Sequence, residues 1–158
     1  MPGTIGNTML KGNLIHPQLL ETLGRAGHGS RILIADGNYP ASTTLGPNAT
    51  LISLNLAPGV VSCTQVLQSI LTVVPIESAA VMGYDKTGPH RLPEPPPIWS
   101  EFASLLRTAG ASDELKEIER FQFYRESQQD DVCTTIATAD QRVFANLLLT
   151  IGVVKSES

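Results

Sequence analysis

Charge is scarce in this chain. Charged residues make up 16% of its 158 positions, against roughly a quarter in an average globular domain. That shortage excludes intrinsic disorder and coiled coil, which both need far more charge. Basic residues are scarcer still, 11 against 15 acidic, and the arginines are scattered rather than clustered. Nucleic-acid binding by phosphate neutralisation is therefore not expected. Long hydrophobic runs are missing too. A stretch such as Arg31-Ile32-Leu33-Ile34-Ala35 is far too short for a membrane span, so no membrane partner is expected. Met1-Pro2-Gly3-Thr4 has neither the basic region nor the apolar core of a secretory signal. With only two cysteines, Cys63 and Cys133, no disulfide framework or thiolate metal site suggests itself. Both are expected to be reduced and buried, in a cytoplasmic protein.

Several catalytic signatures are also lacking. There is no His-x-x-x-His pair and no acidic cluster of metal-ligand spacing. Neither a Gly-x-Ser-x-Gly elbow nor a phosphate-binding glycine loop occurs. No cofactor or metal is expected. Proton-transfer chemistry and plain ligand binding remain.

What is present describes an ordinary folded core. Hydrophobic residues are 42% of the chain, and the length suits one domain over 1–158. Pro17 and the spacing of Leu19, Leu20, Leu23 and Ala26 predict a helix over 17–26, with Gly27 as a left-handed cap. The continuous apolar run at 31–35 predicts a strand buried on both faces, and 50–54 and 78–82 read as further short strands. Residues 63–74 and 98–108 carry helical spacing, and a short helix is expected from Ser112-Asp113-Glu114-Leu115. Residues 84–97 are a Pro/Gly-rich excursion. Phe121 and Phe123 alternate as in a strand, 132–138 is β-branched, and 147–154 is a last apolar run. Strands alternating with helices predict an α/β domain with a mainly parallel sheet.

Four places could carry chemistry. His28 lies between two glycines, at the join between a helix and a strand. An imidazole so unshielded suits acid/base work near neutral pH, although a surface turn histidine looks the same. His16 suits the helix entrance, and His90 falls in the exposed excursion. Asp36 stands where the first core strand runs out. Ligands of α/β sheets bind outside the carboxyl ends of strands, yet an aspartate there also caps its own turn. Arg120-Phe121-Gln122-Phe123-Tyr124-Arg125 concentrates aromatics and arginines in a chain with few aromatics. Asn146, after Phe144-Ala145, enters an apolar run with an amide that needs partners.

Taken in order, these segments resemble the ribose pyranase and fucose mutarotase family of sugar-anomer converting proteins. The resembling pieces are Leu10-Lys11 with the helix from Pro17, Gly27-His28-Gly29-Ser30, the strand to Ala35-Asp36, and Tyr39-Pro40-Ala41. They continue through Ala79-Ala80-Val81-Met82, Ile98-Trp99 and Ile118 to Tyr124, and end with Phe144 to Leu149 and Gly152-Val153. The Arg-Phe-x-Phe-Tyr segment places the chain closer to the fucose branch. The resemblance implies a three-layer α/β/α domain with a mixed, mainly parallel sheet. It also implies a ring-shaped homo-oligomer, typically a decamer, with each site near a subunit boundary. By the same resemblance His28 is the acid/base, and Asp36 a sugar-binding and orienting carboxylate. Arg120, Tyr124 and Asn146 bind hydroxyls. Phe144 stands where the family usually has tyrosine, so its ring remains to stack on a sugar face without a hydroxyl.

Such a site suits mutarotation of a monosaccharide such as L-fucose. A base takes the anomeric hydroxyl proton, an acid protonates the ring oxygen, and the open aldehyde rotates and recloses. Placed acid/base groups contribute on the order of 10²–10⁴-fold, with no redox, metal or covalent step. The alternative reading is a non-catalytic monosaccharide-binding or regulatory protein on the same fold.

Overall fold

The computed structural model describes residues 10–156. Met1–Thr4, where no secretory signal was read, lie outside the described residues. Six strands form one sheet: β1 (Arg31–Ala35), β2 (Thr50–Ser53), β3 (Ile76–Met82), β4 (Leu115–Ile118), β5 (Val132–Ala137) and β6 (Leu147–Ile151). Their order is β2-β5-β1-β6-β3-β4. β6 runs antiparallel to both β1 and β3, while the pairs β1–β5, β2–β5 and β3–β4 are parallel. The sheet is thus mixed and mainly parallel.

Four helices cover it: α1 (Pro17–Arg25), α2 (Cys63–Ile70), α3 (Ile98–Thr108) and α4 (Arg120–Ser127). His16 does serve the helix entrance, since its Nδ1 accepts from the Leu19 N–H at 3.3 Å. α2 opens with a reciprocal cap. Ser62 accepts from the Gln65 N–H, and the Gln65 side chain accepts from the Ser62 N–H at 2.9 Å.

Alternation along the strands builds two cores. Ile32 and Ile34 of β1, with Val81, Leu147 and Leu149, pack against α1, α2 and α3 through Leu19, Leu67, Ile70, Phe102 and Leu106. Leu33 and Ala35, with Ala80, Met82 and Leu148, face Phe123 of α4 and Tyr39. Because β1 is central, it is buried on both sides, which is why its sequence shows no polar alternation. The result is three layers, α/β/α, with a broad helical layer on one face and a thin one on the other.

Four expectations are corrected. Residues 112–115 start no helix; Ser112 makes only a local turn with the Glu114 N–H, and the chain goes straight into β4, which pairs with β3. Pairing at the sheet edge overrode a weak local preference. Phe121 and Phe123 do not alternate in a strand. Glu119 caps α4 by accepting from the Gln122 N–H at 2.9 Å, Phe123 is fully buried, and Phe121 is 60% exposed. Gly27 is not the left-handed cap. α1 ends with Ala26 in extended backbone, and the positive φ of 88° falls on Gly29. Cys63 is buried as expected, with burial pushing its thiol up to about 12, whereas Cys133 is only half-buried.

Candidate active site at the carboxyl edge

Topology brings two distant segments together. The register pairs Ile34 with Leu147, so Asp36 leaves β1 beside Asn146 entering the antiparallel β6. The Asp36 backbone N–H donates to Asn146 Oδ1 at 2.8 Å. That is the partner an asparagine entering an apolar run requires. Asp36 Oδ1 accepts from the Asn38 N–H at 3.0 Å and Oδ2 from the Ala145 N–H at 3.3 Å. The Asn38 bond is the turn cap that an aspartate at this place makes. It is only 5% exposed. Burial raises its pKa above the ordinary aspartate value, and the nearby Asp140 carboxylate adds to this, against the bonds from Asn38, Ala145 and Tyr39.

A cleft of about 220 Å³ opens beside Asp36 and Asn146, lined also by Tyr39, Arg120, Tyr124 and Phe144. α4 supplies one wall. Arg120 is its first residue, and its guanidinium lies 5.9 Å from the centre of the Tyr124 ring. Contact with the Tyr124 hydroxyl raises the Arg120 pKa further. Tyr124 leans on Tyr39 with ring centres 5.6 Å apart. Phe144 closes the cleft in a strained backbone, with φ of 55°. A bulky side chain there is held only by surrounding structure. The Trp99 indole N–H supplies part of that hold, donating to the Phe144 carbonyl at 3.0 Å.

Sequence reading missed what braces this loop. Asp140 is 2% exposed. Its side chain accepts from the Cys63 N–H at 2.9 Å and from two nitrogens of Arg142 at 2.7 and 3.0 Å. Arg142 reaches on to Glu101 of α3 and Thr64 of α2. The Asp140 carbonyl accepts from the Gly37 N–H at 2.8 Å. Glycine at 37 eases this close approach, since a Cβ would stand 3.1 Å from that oxygen and the neighbouring backbone would have to give way. Burial pushes the Asp140 carboxyl up, but the Arg142 contacts and the backbone donors outweigh it and hold the pKa below the ordinary value. Nothing local marks Asp-x-Arg as a brace, since its partners are far off in sequence.

Five of the six residues singled out in sequence therefore converge: Asp36, Arg120, Tyr124, Phe144 and Asn146. His28 does not join them within one chain. It precedes β1, at the amino edge, where Gly29 N–H donates to the carbonyl of Ile151 at the far end of β6. Gly29, Ser30 and the five residues of β1 separate His28 from Asp36, and the strand alone spans roughly 17 Å at about 3.3 Å per residue. Its Nε2 lies 2.8 Å from Glu77 Oε1. Among the described residues no group of three His, Cys, Asp or Glu is placed to hold a metal ion, and no helix is long and apolar enough to cross a membrane.

A carboxylate, a guanidinium, an amide and aromatic faces thus line one small cleft on a mixed α/β sheet, groups that can pair with hydroxyls and stack on a ring. Comparison with known proteins makes this particular. The chain matches the RbsD / FucU transport protein family over residues 9–154, and it belongs to that family. Human fucose mutarotase is 33% identical over 147 residues, covering 89% of this chain and 90% of that protein. Fucose mutarotase of Danio rerio is 32% identical, covering 94% of this chain and 97% of that protein. The crystal structure of fucose mutarotase with L-fucose from Streptococcus pneumoniae superposes with a TM-score of 0.76 at 27% identity, covering 94% of this chain and 99% of that one. FucU from Bifidobacterium longum gives 0.74 at 32% identity, covering 89% and 96%.

Proposed function

We propose that this protein is a sugar mutarotase, an isomerase that interconverts the α and β anomers of L-fucose or a related monosaccharide by acid/base-assisted ring opening. The convergence of Asp36, Arg120, Tyr124 and Asn146 on one cleft carries the reading. Its volume of about 220 Å³ lies below the roughly 300–1,000 Å³ of drug-sized pockets, which suits a single sugar ring. In this assignment Asp36 holds and orients the sugar, Arg120, Tyr124 and Asn146 bind hydroxyls, and Phe144 stacks on a ring face. His28 moves the proton.

The opposite placement of His28 and Asp36 supports a head-to-tail assembly, in which His28 of the partner subunit reaches the cleft. Such a contact joins two different surfaces, and it closes into a ring when the rotation between neighbours divides the full turn. Exposed apolar side chains lie at both edges, Val73, Val153 and Val154 flanking the start of β3 and the end of β6, and Phe121 and Val143 at the cleft. The scarcity of charge fits flanks covered by neighbours. We read residues 1–158 as one domain, in a ring of ten subunits, in the cytoplasm.

Saturation-transfer NMR of anomer exchange tests the activity, wild type against His28→Ala. Wild type should exceed the uncatalysed rate with L-fucose and His28→Ala should not. No excess with fucose, ribose or related sugars, with sugar binding retained in calorimetry, would replace this reading by a binding protein. Light scattering reads the ring directly.

A further inference from the structure

The assignment of His28 as the proton carrier leaves open which ring nitrogen does the work. We propose that Glu77 is a positioning residue that holds the hydrogen on His28 Nε2, so that Nδ1 is the nitrogen that exchanges the sugar proton. This inference rests on the proposed function and specifies its chemistry.

His28 Nε2 and Glu77 Oε1 are 2.8 Å apart. An ionised carboxylate accepts and cannot donate, so the hydrogen in this contact belongs to Nε2. The neutral imidazole is then the Nε2–H tautomer, with its lone pair on Nδ1. Both partners are anchored to the same end of β6. Gly29 and Ser30 bond to Ile151 on one side. On the other, Gly152 lets Glu77 approach so closely that a Cβ at 152 would stand 3.2 Å from Glu77 Cβ. The pair is exposed, with side chains 59% and 47% accessible. Exposed ion pairs add little to stability, so its value lies in what it does to the ring.

The proton balance follows. Nδ1 takes the anomeric hydroxyl proton, and the C1–O bond to the ring oxygen breaks as the C1 carbonyl forms. The imidazolium faces Glu77 through Nε2–H while it holds that proton. Nδ1 then delivers it to the former ring oxygen, which is bound to the same carbon at the outset. Reclosure on the other face reverses these transfers, with no net change in protonation.

The test uses the full-length protein in two forms: wild type and Glu77→Met. Imidazole ¹⁵N shifts of neutral His28 should show protonated Nε2 and bare Nδ1 in wild type, because a carboxylate only accepts. Glu77→Met should show a tautomer mixture. In anomer exchange, Glu77→Met should lose about tenfold or more in kcat with KM nearly unchanged. Protonated Nδ1 in wild type, the same tautomer ratio in Glu77→Met as in wild type, or an unchanged kcat in Glu77→Met overturns the inference. Should wild type turn over no sugar, the proposed function falls, while the ¹⁵N spectrum still decides which nitrogen Glu77 holds.

Discussion

The two edges of the sheet treat polar groups in opposite ways. At the carboxyl edge, Asp36, Asn146 and Asp140 are at most 5% exposed, and each is fixed by backbone or side-chain partners. At the amino edge His28 and Glu77 meet in the open. A buried carboxylate must have its hydrogen bonds built in, because burial without them costs several kcal/mol. The carboxyl edge is therefore rigid and preorganised. The amino edge carries an exposed imidazole–carboxylate pair. The proposed function makes each edge one half of a site.

The largest expected effect breaks the carboxyl half. Asp36→Ala should lower anomer exchange by on the order of 10²–10⁴-fold, and titration calorimetry should show the loss of sugar binding with it. His28→Ala should lower exchange by a similar order yet leave urea stability within about 0.5 kcal/mol, as suits an exposed side chain. Mixing the two inactive variants after partial dissociation sharpens the comparison. Random placement around a ring should restore activity at roughly a quarter of the boundaries. No recovery on mixing would mean that the two edges do not share a site.

The brace comes next. Arg142→Met leaves Asp140 buried with only its backbone donors. Because Arg142 is partly exposed, the loss should fall below that of a fully buried pair, about 1–3 kcal/mol in chemical denaturation. The sign with pH is fixed by Asp140. Its folded pKa is depressed, so its contribution is present above the unfolded value near 3.8 and is lost as pH falls through the folded one. Arg142→Met should therefore differ most from wild type at neutral pH, and least in strong acid. Asp36 has the opposite sign. Its folded pKa is raised, so its effect on stability is favourable below the unfolded value and is lost as pH rises through the folded one. The acid limb of a pH–rate profile should consequently lie above that of an ordinary aspartate, and Asp140→Asn should move it down. The smallest effect belongs to Phe144→Tyr. It adds a hydroxyl facing the cleft and should lower KM by a few-fold, about 1 kcal/mol for one hydrogen bond.

Much of the site was legible in the chain. Asp36 announced itself by standing at the end of a run too apolar to be anything but a central strand. Asn146 did so as an amide entering another such run. Arg120 and Tyr124 stood out by composition, although their element was misread, because two phenylalanines spaced by two suit a strand as well as a helix until the cap at Glu119 is seen. Glu77, Asp140, Arg142 and Trp99 gave no local sign. Their roles exist only through partners far along the chain.

The scarcity of charge, the apolar strands and the order of the motifs are properties of the sequence by itself. They determined the α/β class and which residues to watch. Only the tertiary structure decided that β6 runs antiparallel beside β1. That one reversal brings Asn146 to Asp36 and carries the end of β6 to His28. Strand direction is set by sheet pairing across more than a hundred residues, and no local pattern of side chains encodes it.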